Sequence, residues 1–252
     1  MNSSVSKILS YFFPDLCLSC HSVFEFGEEE NFCEPCKKEI IYLGKSICRI
    51  CGEDLQNPDI SNSLCGECLQ DPPHFEWARS VFQLTPSLSK VIYSFKYAGD
   101  ETALSWMAEE LGLFLNHHFS SIQFDFIVPV PLHMFRLLRR GYNQSLLLAK
   151  ALAKSRGEKL DFENLQKQKS TLAQSTLSKK DRTQQLRGAF SLKGQSLFRE
   201  KNILLLDDVY TTGTTLRECT QVLSKADAKV FVLTLARTPA PGTLSPGGRG
   251  MG

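Results

Sequence analysis

Along this chain, short runs of apolar residues alternate with segments in which apolar positions recur every three to four residues. That alternation predicts strands joined by helices in an α/β domain. Four apolar residues in a row, Ile203 to Leu206, preceded by Lys201-Asn202 and ended by Asp207-Asp208, suit a short strand buried on both faces of a parallel sheet. Asp125 to Pro131 reads as a second buried strand, Trp77 to Leu84 has strand character, and Val230 to Leu235 supplies a core neighbour for Ile203 to Leu206. Helical spacing runs from Leu88 to Tyr97 and from Ala103 to His118, the latter through Leu104, Met107, Ala108, Leu111 and Leu115. It recurs after Gln144, through Leu146, Leu147, Ala149, Ala151 and Leu152, and again through Leu216, Cys219, Val222 and Leu223. Asp71-Pro72-Pro73 interrupts regular structure and divides an N-terminal module, 1–72, from the α/β domain, 73–238. The Pro/Gly-rich residues 239–252 read as a disordered tail.

At 252 residues, 42% hydrophobic and 22% charged, the chain has room for one sizeable domain and a small one, with the composition of an ordinary globular protein. One apolar run near the start, Ile8 to Phe13, stops at Pro14, too short for a membrane span and without a cleavage site of small residues. The net charge of +2 hides an asymmetry. Four Lys/Arg against ten Asp/Glu make Cys17–Cys68 acidic at −6, whereas sixteen against five make His133–Lys201 basic at +11. A polyanion belongs on the second region.

Eight of the nine cysteines form four Cys-x-x-Cys pairs: Cys17/Cys20, Cys33/Cys36, Cys48/Cys51 and Cys65/Cys68. Without an export signal such pairs read as zinc ligands in a cytoplasmic protein rather than as a disulfide framework. Four thiolates close the coordination sphere, so the zinc is structural. Spacing leaves open whether the pairs combine in order or interleave. Cys219 falls on the apolar face of its helix and reads as a small buried hydrophobe.

The candidate chemistry follows Leu206. Asp207 and Asp208 end the predicted strand, and a small-residue turn, Thr211, Thr212, Gly213, Thr214 and Thr215, opens the next helix. Free N–H groups at a helix start, helped by threonine hydroxyls, hold a phosphate. Two carboxylates would repel that phosphate but suit sugar hydroxyls or a divalent metal beside it. A ribose 5-phosphate fits both halves. The run resembles the 5-phosphoribosyl-1-pyrophosphate (PRPP) signature of type I phosphoribosyltransferases, Asp-Asp-x-x-Thr-Thr-Gly-x-Thr after an apolar strand. That resemblance implies Asp207 and Asp208 on the ribose 2′- and 3′-hydroxyls and Thr211–Thr215 on the 5′-phosphate.

Two more segments belong with it. The loop around Val130 is expected at the same carboxyl edge, and Arg136, Arg139 and Arg140 follow; guanidinium groups there suit a pyrophosphate or a nucleic acid backbone. Lys96, between Phe95 and Tyr97 before a Gly turn, is a further ligand candidate. Residues 155–190 are polar, carry Lys167, Lys169, Gln174, Lys179, Lys180 and Arg182, and predict a lid that brings charge over a phosphate-rich ligand.

The order of parts resembles the ComF family, the competence-protein or GntX-like group. It comprises the cysteine pairs, Phe-Lys-Tyr-x-Gly-Asp (95–100), Val-Pro-x-Pro-Leu-His (128–133), Arg-Gly-Tyr-Asn-Gln (140–144), a Gln-containing lid, Arg-Gly-Ala-Phe (187–190) and the PRPP loop. Lys167, Lys169 and Gln185 depart from it, standing where relatives often carry arginines and an asparagine. The resemblance implies a flavodoxin-like parallel sheet of the type I phosphoribosyltransferase fold with a zinc module, and PRPP with Mg²⁺ as ligand. It also implies a role in DNA uptake during natural transformation, with single-stranded DNA and a competence helicase as partners. Lys96, Val130, Gln174 and Arg182 join the ligand residues on this basis. Two other functions fit the same ligand residues: a working phosphoribosyltransferase with a nitrogen acceptor, and a PRPP-sensing regulator.

Overall fold

The computed structural model describes residues 15–24, 30–44, 46–55, 63–132, 137–138, 141–168 and 186–239. The expectations placed on the N-terminal apolar run, on Arg136, Arg139, Arg140, Gln174 and Arg182, and on residues 240–252 of the tail lie outside the described residues.

Two short helices, α1 (Glu34–Lys37) and α2 (Gly66–Gln70), belong to the N-terminal module. After them come β1 (Trp77–Gln83), α3 (Pro86–Ala98), α4 (Glu101–His118), β2 (Phe126–Pro129), α5 (Gln144–Arg156), β3 (Lys159–Leu160), β4 (Leu165–Lys167), β5 (Phe190–Leu192), β6 (Asn202–Tyr210), α6 (Thr214–Ser224) and β7 (Lys229–Arg237). Strands β1-β7-β6-β2-β3 form one sheet in that order, every pairing parallel. Parallel pairing requires crossovers, and α6 supplies the one between β6 and β7. The α/β expectation holds.

Side chains of β6 alternate between two cores, as a strand must. Leu204 and Leu206 join a cluster with Leu88, Phe95, Met107, Leu111 and Leu148 from α3, α4 and α5. Ile203 and Leu205 join the other, with Leu216, Cys219 and Leu223 from α6. Cys219 is fully buried there, the small hydrophobe expected of it. Turn chemistry places the helices. Thr85 accepts the Leu88 N–H ahead of Pro86 at the start of α3, Gly99 ends that helix in the left-handed region at φ 68°, and Asp100 caps α4 by accepting from Thr102 and Ala103.

The cysteine pairs combine in order, 17/20/33/36 and 48/51/65/68. Between the two sets, residues 41–43 run antiparallel along the outer edge of β1, through Leu43 N–H to Val81 at 3.0 Å and Gln83 N–H to Ile41 at 2.8 Å. The chain thus wraps the sheet edge. Cys17 and Cys36 pack with Phe32 and Trp106 in the first core, while all four cysteines of the second set pack in the other core.

Three sequence expectations need correction. The strand expected to end at Leu206 continues through both acids to Tyr210, because β7 pairs with it as far as Arg237. The last helix begins at Thr214, not after Thr215, since Gly213 supplies the turn. The stretch 155–190 is not all lid. It starts with the end of α5, adds β3 to the sheet, and then buries Leu165, Ala189 and Phe190 around the antiparallel pair β4–β5. Single apolar residues anchor these short strands, so no period betrayed them. No helix among the described residues is long and apolar enough to cross a membrane.

Candidate functional site

Parallel strands open their carboxyl ends together, and in such sheets ligands bind in the crevice outside those ends. Here the carboxyl-terminal half of β6 carries Asp207 and Asp208, the end of β2 leads to Val130, and α3, α5 and α6 each bring one terminus. The Val130 N–H donates to Leu206 O at 2.9 Å, which extends the β2–β6 ladder by one rung into the crevice. Asn143 caps α5 by accepting the Ser145 N–H and donates to Val130 O at 3.1 Å, so one side chain fixes both the helix start and the β2 loop.

The two carboxylates have different partners. Asp208, buried, forms an ion pair with Lys96 at the end of α3. Lys96 is therefore drawn inward to the acids, away from the solvated position open to a surface lysine. Asp207 accepts from the Ser145 hydroxyl at 2.7 Å and from the Asp208 N–H at 2.9 Å. Burial first, then the neighbouring Asp208 charge, push the Asp207 carboxyl up to about 7, although Ser145 and Lys96 pull the other way. A carboxyl held above the usual carboxylate range beside a second acid, at the mouth of a crevice, is a functional-site candidate. Ser145 escaped the sequence reading; its only signal was its place two residues into a helix capped by Asn143.

After Tyr210 the chain turns through Thr211 and Thr212 to Gly213, at φ 70°, a left-handed conformation for which glycine is suited. Space demands glycine as well, because a Cβ there would lie 2.3 Å from the Tyr210 hydroxyl. The Thr212 and Thr214 hydroxyls meet at 3.0 Å. Thr214 and Thr215 occupy the first turn of α6, whose leading N–H groups have no acceptor within the helix. Backbone donors, hydroxyls and the positive end of an eleven-residue helix thus converge a few residues beyond the acids, an arrangement suited to a phosphate. Gly188 N–H donates to Glu218 on α6 at 3.0 Å, so the chain enters β5 beside the same helix.

The Cys-x-x-Cys sets have the chemistry of zinc. Within each set the four sulfurs lie within 4.8 Å of one another, with Cys20–Cys33 at 3.6 Å and Cys51–Cys65 at 3.5 Å. Tetrahedral zinc–thiolate bonds of about 2.3 Å put sulfurs about 3.8 Å apart. In the second set, Cys48 Sγ accepts the Cys65 N–H and Cys65 Sγ accepts the Cys68 N–H, polar support for sulfur in a buried site.

That second set is tied to the Thr211–Thr215 turn by two arginines that sequence reading missed. Arg237, last residue of β7, lies 4.0 Å over the Tyr210 ring and donates to Cys51 O at 2.8 Å. Arg217, one turn into α6, donates to Asp71 O at 2.9 Å and pairs with Glu67 at 3.5 Å. One arginine grips each side of the loop. A cavity of about 240 Å³ lies between, bordered by Cys51, Cys68, Thr211, Thr212 and Thr238.

Comparison with known proteins agrees with both halves of this geometry. Residues 8–69 match the double zinc ribbon domain, and residues 142–242 match the phosphoribosyl transferase domain. Competence protein F of Haemophilus influenzae is 34% identical over 85% of this chain and 93% of its own length. DNA utilization protein YhgH of Escherichia coli K12 is 32% identical over 89% and 98%, and competence protein ComFC of Bacillus subtilis 28% over 88% and 95%.

Proposed function

This chain belongs to the ComF family of competence proteins, and on that premise we propose that it binds PRPP with Mg²⁺ and single-stranded DNA and serves DNA uptake in natural transformation. The observation that carries the reading is the sequence of functional groups along β6 and α6: a half-buried and a buried carboxylate, then a glycine-centred turn of threonines on a helix start. Asp207 and Asp208 take the ribose hydroxyls, and their carboxylates are the groups that would hold Mg²⁺, which would neutralise ligand charge beside them. Thr211 to Thr215 take the 5′-phosphate. Lys96, already on Asp208, exchanges part of that contact for the pyrophosphate. Val130 and, by the family resemblance, Arg136, Arg139, Arg140, Gln174 and Arg182 are assigned to the same anionic ligand, the arginines by charge-assisted contacts to its phosphates. Zinc in both Cys₄ sites is structural, since neither leaves an open coordination position. The names of the relatives, a competence protein and a DNA utilization protein, support the biological role.

DNA is drawn to the +11 region between His133 and Lys201, whose charge releases counterions from a phosphate backbone. Charge reversal of Arg139 and Arg140 is the test. Weaker binding of a single-stranded oligonucleotide and a shallower dependence on salt are expected. An unchanged salt slope would place DNA elsewhere on the molecule.

A further inference from the structure

The outer face of α3 carries two adjoining exposed tyrosines. Leu88, Val91, Ile92 and Phe95 point into the core. The opposite stripe is Pro86, Lys90, Tyr93 and Tyr97, all exposed, at the spacing that puts residues on one helix face. Tyr93 is 64% and Tyr97 56% exposed, and their rings meet at 4.5 Å between centroids, tilted by 37°. Single exposed aromatics are ordinary, but two in contact on successive turns present adjoining ring faces and edges to solvent. Two features give that surface a charge and a place. The helix holds two lysines and no acid. Its last turn also sends Lys96 inward to Asp208 and accepts the Tyr142 hydroxyl on Phe95 O at 2.6 Å, so Tyr97 stands on the same turn as the rim of the crevice and Tyr93 one turn before it. The nearby carboxylate of Asp100 is engaged by Ser94, Thr102 and Ala103.

We propose that Tyr93 and Tyr97 form a stacking platform for the unpaired bases of single-stranded DNA, with Lys90 beside its backbone. This rests on the reading that the protein binds single-stranded DNA, and it names where the bases lie. Stacking on aromatic side chains with cations alongside is how such strands are held without regard to sequence, and duplex DNA, whose bases are already stacked, cannot use it. The +11 region then supplies charge while α3 supplies base contact.

The test is fluorescence anisotropy of the full-length, zinc-loaded protein with two labelled strands of about 20 nucleotides, one of thymidine and one abasic at every position. Wild type is expected to prefer the thymidine strand, and Tyr93→Ala/Tyr97→Ala to bind it about tenfold more weakly and to lose the preference. Tyr93→Phe/Tyr97→Phe keeps both properties. The salt slope stays the same in all three proteins, because no charge is altered. PRPP binding, titrated on the same samples, also stays the same. Equal binding of the two strands by wild type, or undiminished thymidine binding by the alanine variant, would overturn the platform. Failure of wild type to bind either strand would overturn the DNA reading with it, while leaving the PRPP site to be judged by its own titration.

Discussion

Asp207 and Asp208 sit in succession in a strand whose preceding four residues are buried and apolar, and the placement costs stability. The unfolded chain releases the Asp207 proton near 3.8, whereas the folded protein holds it up to about 7. Between those values the folded state binds the extra proton, so stability falls as pH rises through that window and is level above it. Asp207→Asn removes the fall. We expect the variant, without Mg²⁺, to gain roughly 1–2 kcal/mol at pH 8, less than the full displacement implies because solvent reaches the carboxylate. The gain should vanish below pH 4, as measured by urea unfolding across pH. At the residue scale the sequence was informative about both acids and silent about their partners. Nothing in the spacing between Ser145, Lys96 and the acids predicts that two helix termini deliver a hydroxyl to one carboxylate and an ammonium to the other. Those are products of sheet order.

At the scale of elements, the Thr211–Thr215 turn is set by a clash avoided. The run Thr-Thr-Gly-Thr-Thr indicated a turn and a helix start, but the demand for glycine at 213 comes from two sources at once: its left-handed backbone, and the Tyr210 ring folded against it. Gly213→Ala must strain the backbone and displace an aromatic side chain that is 4% exposed. The expected cost is about 2–4 kcal/mol, with loss of binding to ribose 5-phosphate, read by thermal unfolding and by titration. The helices and the central strands were legible because their apolar residues repeat over several turns or run uninterrupted. Strands β3, β4 and β5 were not, because two or three residues carry no period and each depends on a partner distant in sequence. For the same reason β6 runs four residues past Leu206: its pairing with β7, invisible in the local pattern, carries it through the acids to Tyr210.

At the scale of the whole molecule, the two Cys₄ sites are not equivalent. The chain crosses the β1 edge between them, so the first lies against α4 and the second against the Thr211–Thr215 turn. Cysteine spacing gave the ligands of both, but the arginines that join the second to the loop lie 186 residues from Cys51 and 146 from Asp71 and leave no local trace. Arg237→Ala is expected to retain zinc, measured by metal content, yet to weaken ribose 5-phosphate binding about tenfold. Undiminished binding would show that the loop stands without its tie to the second site.

The central claim, that the carboxyl edge of this sheet holds PRPP through Asp207 and Asp208, is tested most directly by calorimetric titration of PRPP and Mg²⁺ into the zinc-loaded wild type and the Asp207→Asn/Asp208→Asn variant. The account predicts saturable binding by the wild type and none by the variant, with the variant still folded by its thermal transition. Equal binding by both proteins, or none by the wild type, would contradict it.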